Sequence, residues 1–182
     1  MMKNKSSIKN LYFFIAFFCL GLLTFNFQRN NFLTLHNLRP VTDSDKFSMD
    51  VPPGWNKATR HIQDLTATVY MAPPADNFHP NINVLLDSGH GVSLDVYIAH
   101  NRETMKEAGM QLDSVNNYEV NGNKGKWFNV AYNYQGRLLA LKSYIFMQNN
   151  VAYIVTCTCL DTQKSTYDII FNNTLKTFKI LN

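Results

Sequence analysis

Residues 126–160 leave this chain little choice of architecture. The stretches "KWFNVAYNYQ" (126–135), "LLALKSYIFMQ" (138–148) and "VAYIVTCTCL" (151–160) are rich in β-branched and aromatic residues, and only Gly136-Arg137 and Asn149-Asn150 separate them. Connections this short join antiparallel strands, because parallel neighbours need a crossover of a dozen or more residues. The three segments therefore read as an antiparallel meander. Within the first, Phe128, Val130, Tyr132 and Tyr134 share one face and read as core. Trp127, Asn129, Ala131, Asn133 and Gln135 share the other, a polar face with one tryptophan that suits a solvated surface, a contact patch or a helix-covered surface.

Upstream, "FSMDV" (47–51) alternates with the period of a half-buried strand and stops at "PPGW" (52–55). Pro52 and Pro53 cannot donate to a sheet ladder, Gly54 permits a turn, and Trp55 follows as a large apolar anchor. Further strands are expected at 65–72, 81–88 and 114–120, the last closed by the hairpin signal "NGNKG" (121–125). Between them the period changes to that of a helix. A Ser cap at Ser93 precedes Leu94, Tyr97, Ile98, Met105 and Ala108, and Gly109 ends the run. A second helix is expected over 162–178, capped by Thr162, with Tyr167, Ile170, Phe171, Leu175 and Phe178 on one side. This order is not a βαβα alternation. It defines an α+β class, an antiparallel β-sheet covered by helices.

The amino terminus has a different character. "MMKNKSSIKN" supplies three lysines ahead of seventeen mostly apolar residues, 11–27, which is the layout of an export signal or membrane anchor. The run ends on Leu23-Thr24-Phe25-Asn26-Phe27, a poor peptidase site, and the bulky Phe17 and Phe18 before Cys19 do not suit lipidation. Residues 1–28 thus read as a signal-anchor or signal peptide, an N-terminal hydrophobic helix whose partner is the membrane. Residues 29–45, polar and broken by Pro40, read as a linker, and residues 46–182 as one domain. The formal charge of +4 belongs to the first 29 residues. Lys3, Lys5, Lys9 and Arg29 account for four of the seventeen basic side chains, and the thirteen that remain match the thirteen acidic ones, all of which lie beyond residue 29. A domain with no net excess of positive charge is not expected to bind nucleic acid.

The sequence of 46–182 resembles the PsbP-like family through Phe47, Pro53-Gly54-Trp55, Gly125, Tyr153 and Phe178. That fold is shared by the photosystem II extrinsic P protein, a Ran-binding nuclear import factor and many bacterial exported proteins. The resemblance implies a PsbP-like α/β/α sandwich with "PPGW" as a fold marker and Trp55 capping one edge of the core. It implies a binding or assembly role, not an enzyme, and carries no catalytic residue, metal ligand or cofactor-binding residue.

His36, His61, His79, His90 and His100 form no H-x-H, H-x-x-x-H or H-E-x-x-H pattern. His79 and His90 lie in loops, and as neighbours in space they would suit a shared metal with Asp76 or Asp87. "DSGHG" (87–91) places Asp, Ser and His together, but neighbours in sequence rarely adopt triad geometry. Cys157 and Cys159 fall on one face of a strand, too extended for a bridge, and read as small packing residues. The expectation is therefore a non-catalytic, membrane-tethered domain outside the cytoplasmic membrane, on its periplasmic or extracellular side, binding a protein or envelope partner. A small-ligand or metal-binding domain using the loops at 73–91 is the alternative.

Overall fold

In the computed structural model, residues 39–43, 46–62 and 65–181 are described. The expected hydrophobic helix, Cys19 and His36 lie outside them. Eleven strands and two α-helices are present among the described residues. The strands are β1 (Arg39–Asp43), β2 (Phe47–Val51), β3 (Asn56–Ile62), β4 (Leu65–Met71), β5 (Asn81–Ser88), β6 (Gln111–Leu112), β7 (Asn116–Val120), β8 (Asn123–Tyr134), β9 (Arg137–Gln148), β10 (Val151–Leu160) and β11 (Lys179–Ile180). The helices are α1 (Leu94–Glu107) and α2 (Lys164–Leu175), the second entered through a single 3-10 turn, Asp161–Gln163.

The meander forms as its short connections require. β8 pairs antiparallel with β9, and β9 with β10. β10 continues through β5 and β4 to β3, while β6 and β7 both pair with β8. The result is an eight-stranded sheet in the order β3-β4-β5-β10-β9-β8-β6, with β7 beside β8. A second sheet of three strands runs β1-β2-β11.

Alternation along the strands sends side chains to two separate cores. On the first face Tyr144, Phe146, Tyr153 and Val155 meet Tyr167, Ile170, Phe171 and Leu175 of α2 and Phe47, Met49 and Val51 of β2. Phe178 lies between the sheets, its ring 5.8 Å from that of Phe47 and 5.2 Å from that of Phe146. On the second face Phe128, Val130, Leu139, Leu141, Ile145 and Ile154 pack with Tyr97, Ile98 and Met105 of α1. Helices on opposite faces make this an α+β sandwich.

The "PPGW" turn is now explained. Trp55 N–H donates to the carbonyl of Pro52 at 3.4 Å across Pro53 and Gly54, and Gly54 has φ +81°. Proline at the second position and a positive-φ glycine at the third define a type II turn. Trp55 is buried and meets the ring of Phe171 edge-on at 6.4 Å.

The expected elements shift in several places. Ser93 does cap α1, its Oγ accepting from Val96 N–H at 3.4 Å. Thr162, by contrast, lies within the 3-10 turn and not at the cap of α2, which starts two residues later after Gln163. The helix stops at Leu175 because the Thr177 hydroxyl donates to the Thr174 carbonyl at 2.7 Å and accepts from Asp50 N–H at 2.8 Å. Four strands were not expected, among them β6, which has two residues and lies at a sheet edge. β3 is polar and β11 has two residues, and both lie at sheet edges, where polar composition is favoured. β1 falls inside the segment read as linker, where it pairs with β2 in full register from Arg39 opposite Val51 to Asp43 opposite Phe47. Its edge position tolerates Pro40.

Candidate functional site

The first face of the large sheet is not uniform. Across β8, β9 and β10 the register lines up Gly125, Phe146 and Tyr153, then Trp127, Tyr144 and Val155, then Asn129, Lys142 and Cys157, then Ala131, Ala140 and Cys159. Side-chain size falls along this series. The aromatic rows are filled by the small sheet, by Phe178 and by α2, but the rows of small residues leave a gap beneath the first turns of α2. That gap is a groove of about 300 Å³. Ala131, Ala140, Cys157, Cys159 and Phe171 supply its apolar surface, and Asp113, Asp161, Lys164 and Asp168 are among its charged lining residues.

Lys142 marks the boundary between the filled and the empty part. Its Nζ lies 4.5 Å from the ring centroid of Trp127 and 5.7 Å from that of Tyr144. It donates to Asn172 Oδ1 at 3.0 Å, and Tyr144 Oη donates to the same oxygen at 3.1 Å. Two aromatic faces and one amide oxygen thus hold a half-buried ammonium group at the groove wall. Trp127 is half-buried and packs against the first core, so the tryptophan on the polar face of β8 is partly a structural residue.

The two thiols here are not activated. Cys157 is fully buried, and burial pushes its pKa up, outweighing the opposing influence of Lys142. Burial, helped by the carboxylates of Asp168 and Asp161, pushes Cys159 up to about 12. A nucleophilic cysteine needs the opposite environment. Both are free thiols. Burial also raises Tyr144.

The histidines do not converge. His79 precedes β5 and His90 follows it, and eight extended residues separate their ends by more than about 20 Å. His79 Nδ1 is 2.9 Å from the Ala72 carbonyl, whereas His90 Nε2 is 3.8 Å from Asp87 Oδ2. His61 lies on β3, and His100 is exposed on α1. Among the described residues no group of three or more His, Cys, Asp or Glu is placed to hold a metal. Asp76 does not join a histidine: its Oδ2 accepts from Gln163 Nε2 at 3.1 Å.

"DSGHG" is a local turn network. Asp87 accepts from Tyr97 Oη at 2.7 Å and from Ser88 N–H at 2.8 Å, and Ser88 Oγ accepts from the backbone N–H of His90 at 3.1 Å. The serine thus meets the histidine's main chain. The other loop, 73–80, is tied down as well. Its tight turn has Asp76 and Asn77 at φ +53° and +55°, and Gln163 Nε2 and Arg137 Nη1 donate to the carbonyls of Ala75 and Asn77 at 3.1 and 3.0 Å.

An antiparallel sheet carrying one helix on each face, closed on one side by a three-stranded sheet, defines the structural class. No protein-family model matches the sequence, and no curated protein matches it. Solved structures do. The protein of unknown function PA94 from Pseudomonas aeruginosa is 14% identical with a TM-score of 0.58, over 77% of this chain and 94% of that one. LpqN of Mycobacterium tuberculosis, involved in cell envelope biogenesis, is 17% identical with a TM-score of 0.55, over 80% and 91%. PsbP (CyanoP) of Synechocystis sp. PCC 6803 is 11% identical with a TM-score of 0.55, over 84% and 98%. At such identities the likeness is one of fold. The chain has the PsbP-like fold.

Proposed function

We propose that this is an exported, membrane-tethered, non-catalytic domain that binds a protein or envelope partner through the groove between α2 and the small-residue rows of β8, β9 and β10. The observation that carries the reading is the groove itself. It has an apolar floor, lining charges of both signs and two thiols held in the protonated state, a surface suited to holding an extended segment and not to attacking one.

Three further facts support it. The charge and hydropathy of residues 1–28 are those of an export signal or anchor. Residues 30–182 carry no net charge. LpqN, which shares the fold, is involved in cell envelope biogenesis. An anchor would keep the domain near an envelope partner and raise its effective concentration there. The loops at 73–91 are a weaker site, since their histidines lie at opposite ends of β5.

A topology reporter fused after Asn182 tests the location. The reading expects the periplasmic or extracellular signal, and a cytoplasmic signal overturns it.

A further inference from the structure

The second core is not wholly apolar. From Phe128 on β8 the register continues across the sheet through Ser143 on β9 and Thr156 on β10 to Asn83 on β5. Ser143 and Thr156 are buried, and so is Thr158, two residues further along the same face of β10. The hydroxyls of all three have no hydrogen-bond partner among the described residues. Ser143 and Thr156 stand directly opposite each other, yet neither reaches the other.

α1 lies over this row. Tyr97 Oη donates to Asp87 at 2.7 Å, which fixes one point of the helix above β5. The Arg102 guanidinium carbon lies 5.2 Å from the ring centroid of Phe128, which fixes another above β8. Asn101 is one turn from Tyr97 on the same side of the helix, and it is buried. Its Nδ2 approaches Tyr97 closely enough to influence the phenol, but makes no hydrogen bond. Arg102 Nη1 is likewise closed to solvent and without a partner among the described residues.

Desolvated donors and hydroxyls keep their demand for partners. The helix side of the seam presents N–H donors and the sheet side presents hydroxyl oxygens. Water matches both, with two lone pairs for the donors and two protons for the oxygens. Side chains directly opposite across a strand pair have Cβ atoms about 4.5–5.5 Å apart, so a water can bridge hydroxyls that do not meet directly. Arg102 as a whole is only half-buried, so its charge is hydrated and calls for no counter-ion at Nη1.

We propose that ordered internal water is built into this seam, bridging the hydroxyls of Ser143 and Thr156 to Asn101 Nδ2 and Arg102 Nη1 of α1. The water is a structural ligand that fastens α1 to the sheet, and its enclosure makes it slow to exchange. The site is separate from the α2 groove and does not depend on it.

The test is a crystal structure of the full chain, grown from a lipidic mesophase in sodium bromide, at a resolution that shows ordered water. A peak is expected within hydrogen-bond distance of Ser143 Oγ or Thr156 Oγ1 and of Asn101 Nδ2 or Arg102 Nη1, with no anomalous signal from bromide. Magnetic relaxation dispersion of the water oxygen, on the full chain in phosphatidylcholine nanodiscs, then compares wild type with Ser143→Ala/Thr156→Val. The variant is expected to lose long-lived water. Should it fail to fold, Ser143→Ala alone, which removes a single oxygen, is expected to show the loss. The proposal is overturned by the absence of a peak, by hydroxyls bonded to main-chain carbonyls in its place, by bromide at the site, or by undiminished long-lived water in a folded variant.

Discussion

Gly125 shows how closely single residues are specified in this fold. A Cβ at this position would sit 2.5 Å from Phe146 Cδ1 and 2.6 Å from the Ile145 carbonyl oxygen. Phe146 cannot easily yield, because its ring packs at 5.2 Å from Phe178 and 6.1 Å from Tyr118. Gly125→Ala should therefore cost about 1–3 kcal/mol in urea unfolding through overpacking, and an unchanged midpoint would contradict this packing. The groove thiols make a second prediction. Cys159 has an ordinary value of 9.0 and is held up to about 12, so an unfolded chain loses this proton first as the pH rises. The unfolded state then binds fewer protons, and the contribution to stability, complete below 9.0, is lost as the pH climbs through about 12. Stability should fall between about pH 9 and pH 11, and fall less steeply in Cys157→Ala/Cys159→Ala. Some decline should persist in that variant, because burial raises Tyr144 and Tyr97 too. Equal slopes would show that the thiols ionise alike in both states.

At the scale of elements, Gln163 links the entry of α2 to the turn at Ala75–Phe78. Its Nε2 donates to the Ala75 carbonyl and to Asp76 Oδ2, each at 3.1 Å, and its Oε1 accepts from Leu160 N–H at 3.4 Å. Gln163→Ala removes the partners of the buried Leu160 N–H and the half-buried Ala75 carbonyl and should destabilise by about 1–3 kcal/mol. Hydrogen exchange should quicken at the Ala75 and Phe78 amides while α1 stays protected. Unchanged exchange at that turn would contradict the link. The same scale shows what the sequence can and cannot reveal. β8 to β10 and α1 are legible because each carries a long periodic pattern and a local stop signal. β3 and β11 are not, since an edge strand draws its order from a neighbour, here β4 for β3 and β2 for β11. The groove is a gradient of side-chain size across three strands, visible only once their register is known. Lys142 was the local clue, a charge in the inward series with Ala140, Tyr144 and Phe146. His79 and His90, eleven positions apart, sit at opposite ends of one extended strand, a separation that their shared loop character does not reveal.

For the whole molecule, the two faces of the large sheet are covered differently. One face joins the small sheet and α2 around an aromatic core and leaves the groove where the residues become small. The other packs α1 and leaves an open cleft beside that helix. The central claim is that a partner occupies the groove while the N-terminal segment holds the domain at a membrane. Photo-crosslinking in intact cells tests it most directly, with a photoreactive residue placed at Gln111 or Lys164, both exposed at the groove, or at Asn117 or Glu107, exposed elsewhere. The account predicts one discrete crosslinked product, in the membrane fraction, from the two groove positions and none from the other two. Absence of a product from the groove positions, or equal products from all four, would contradict it.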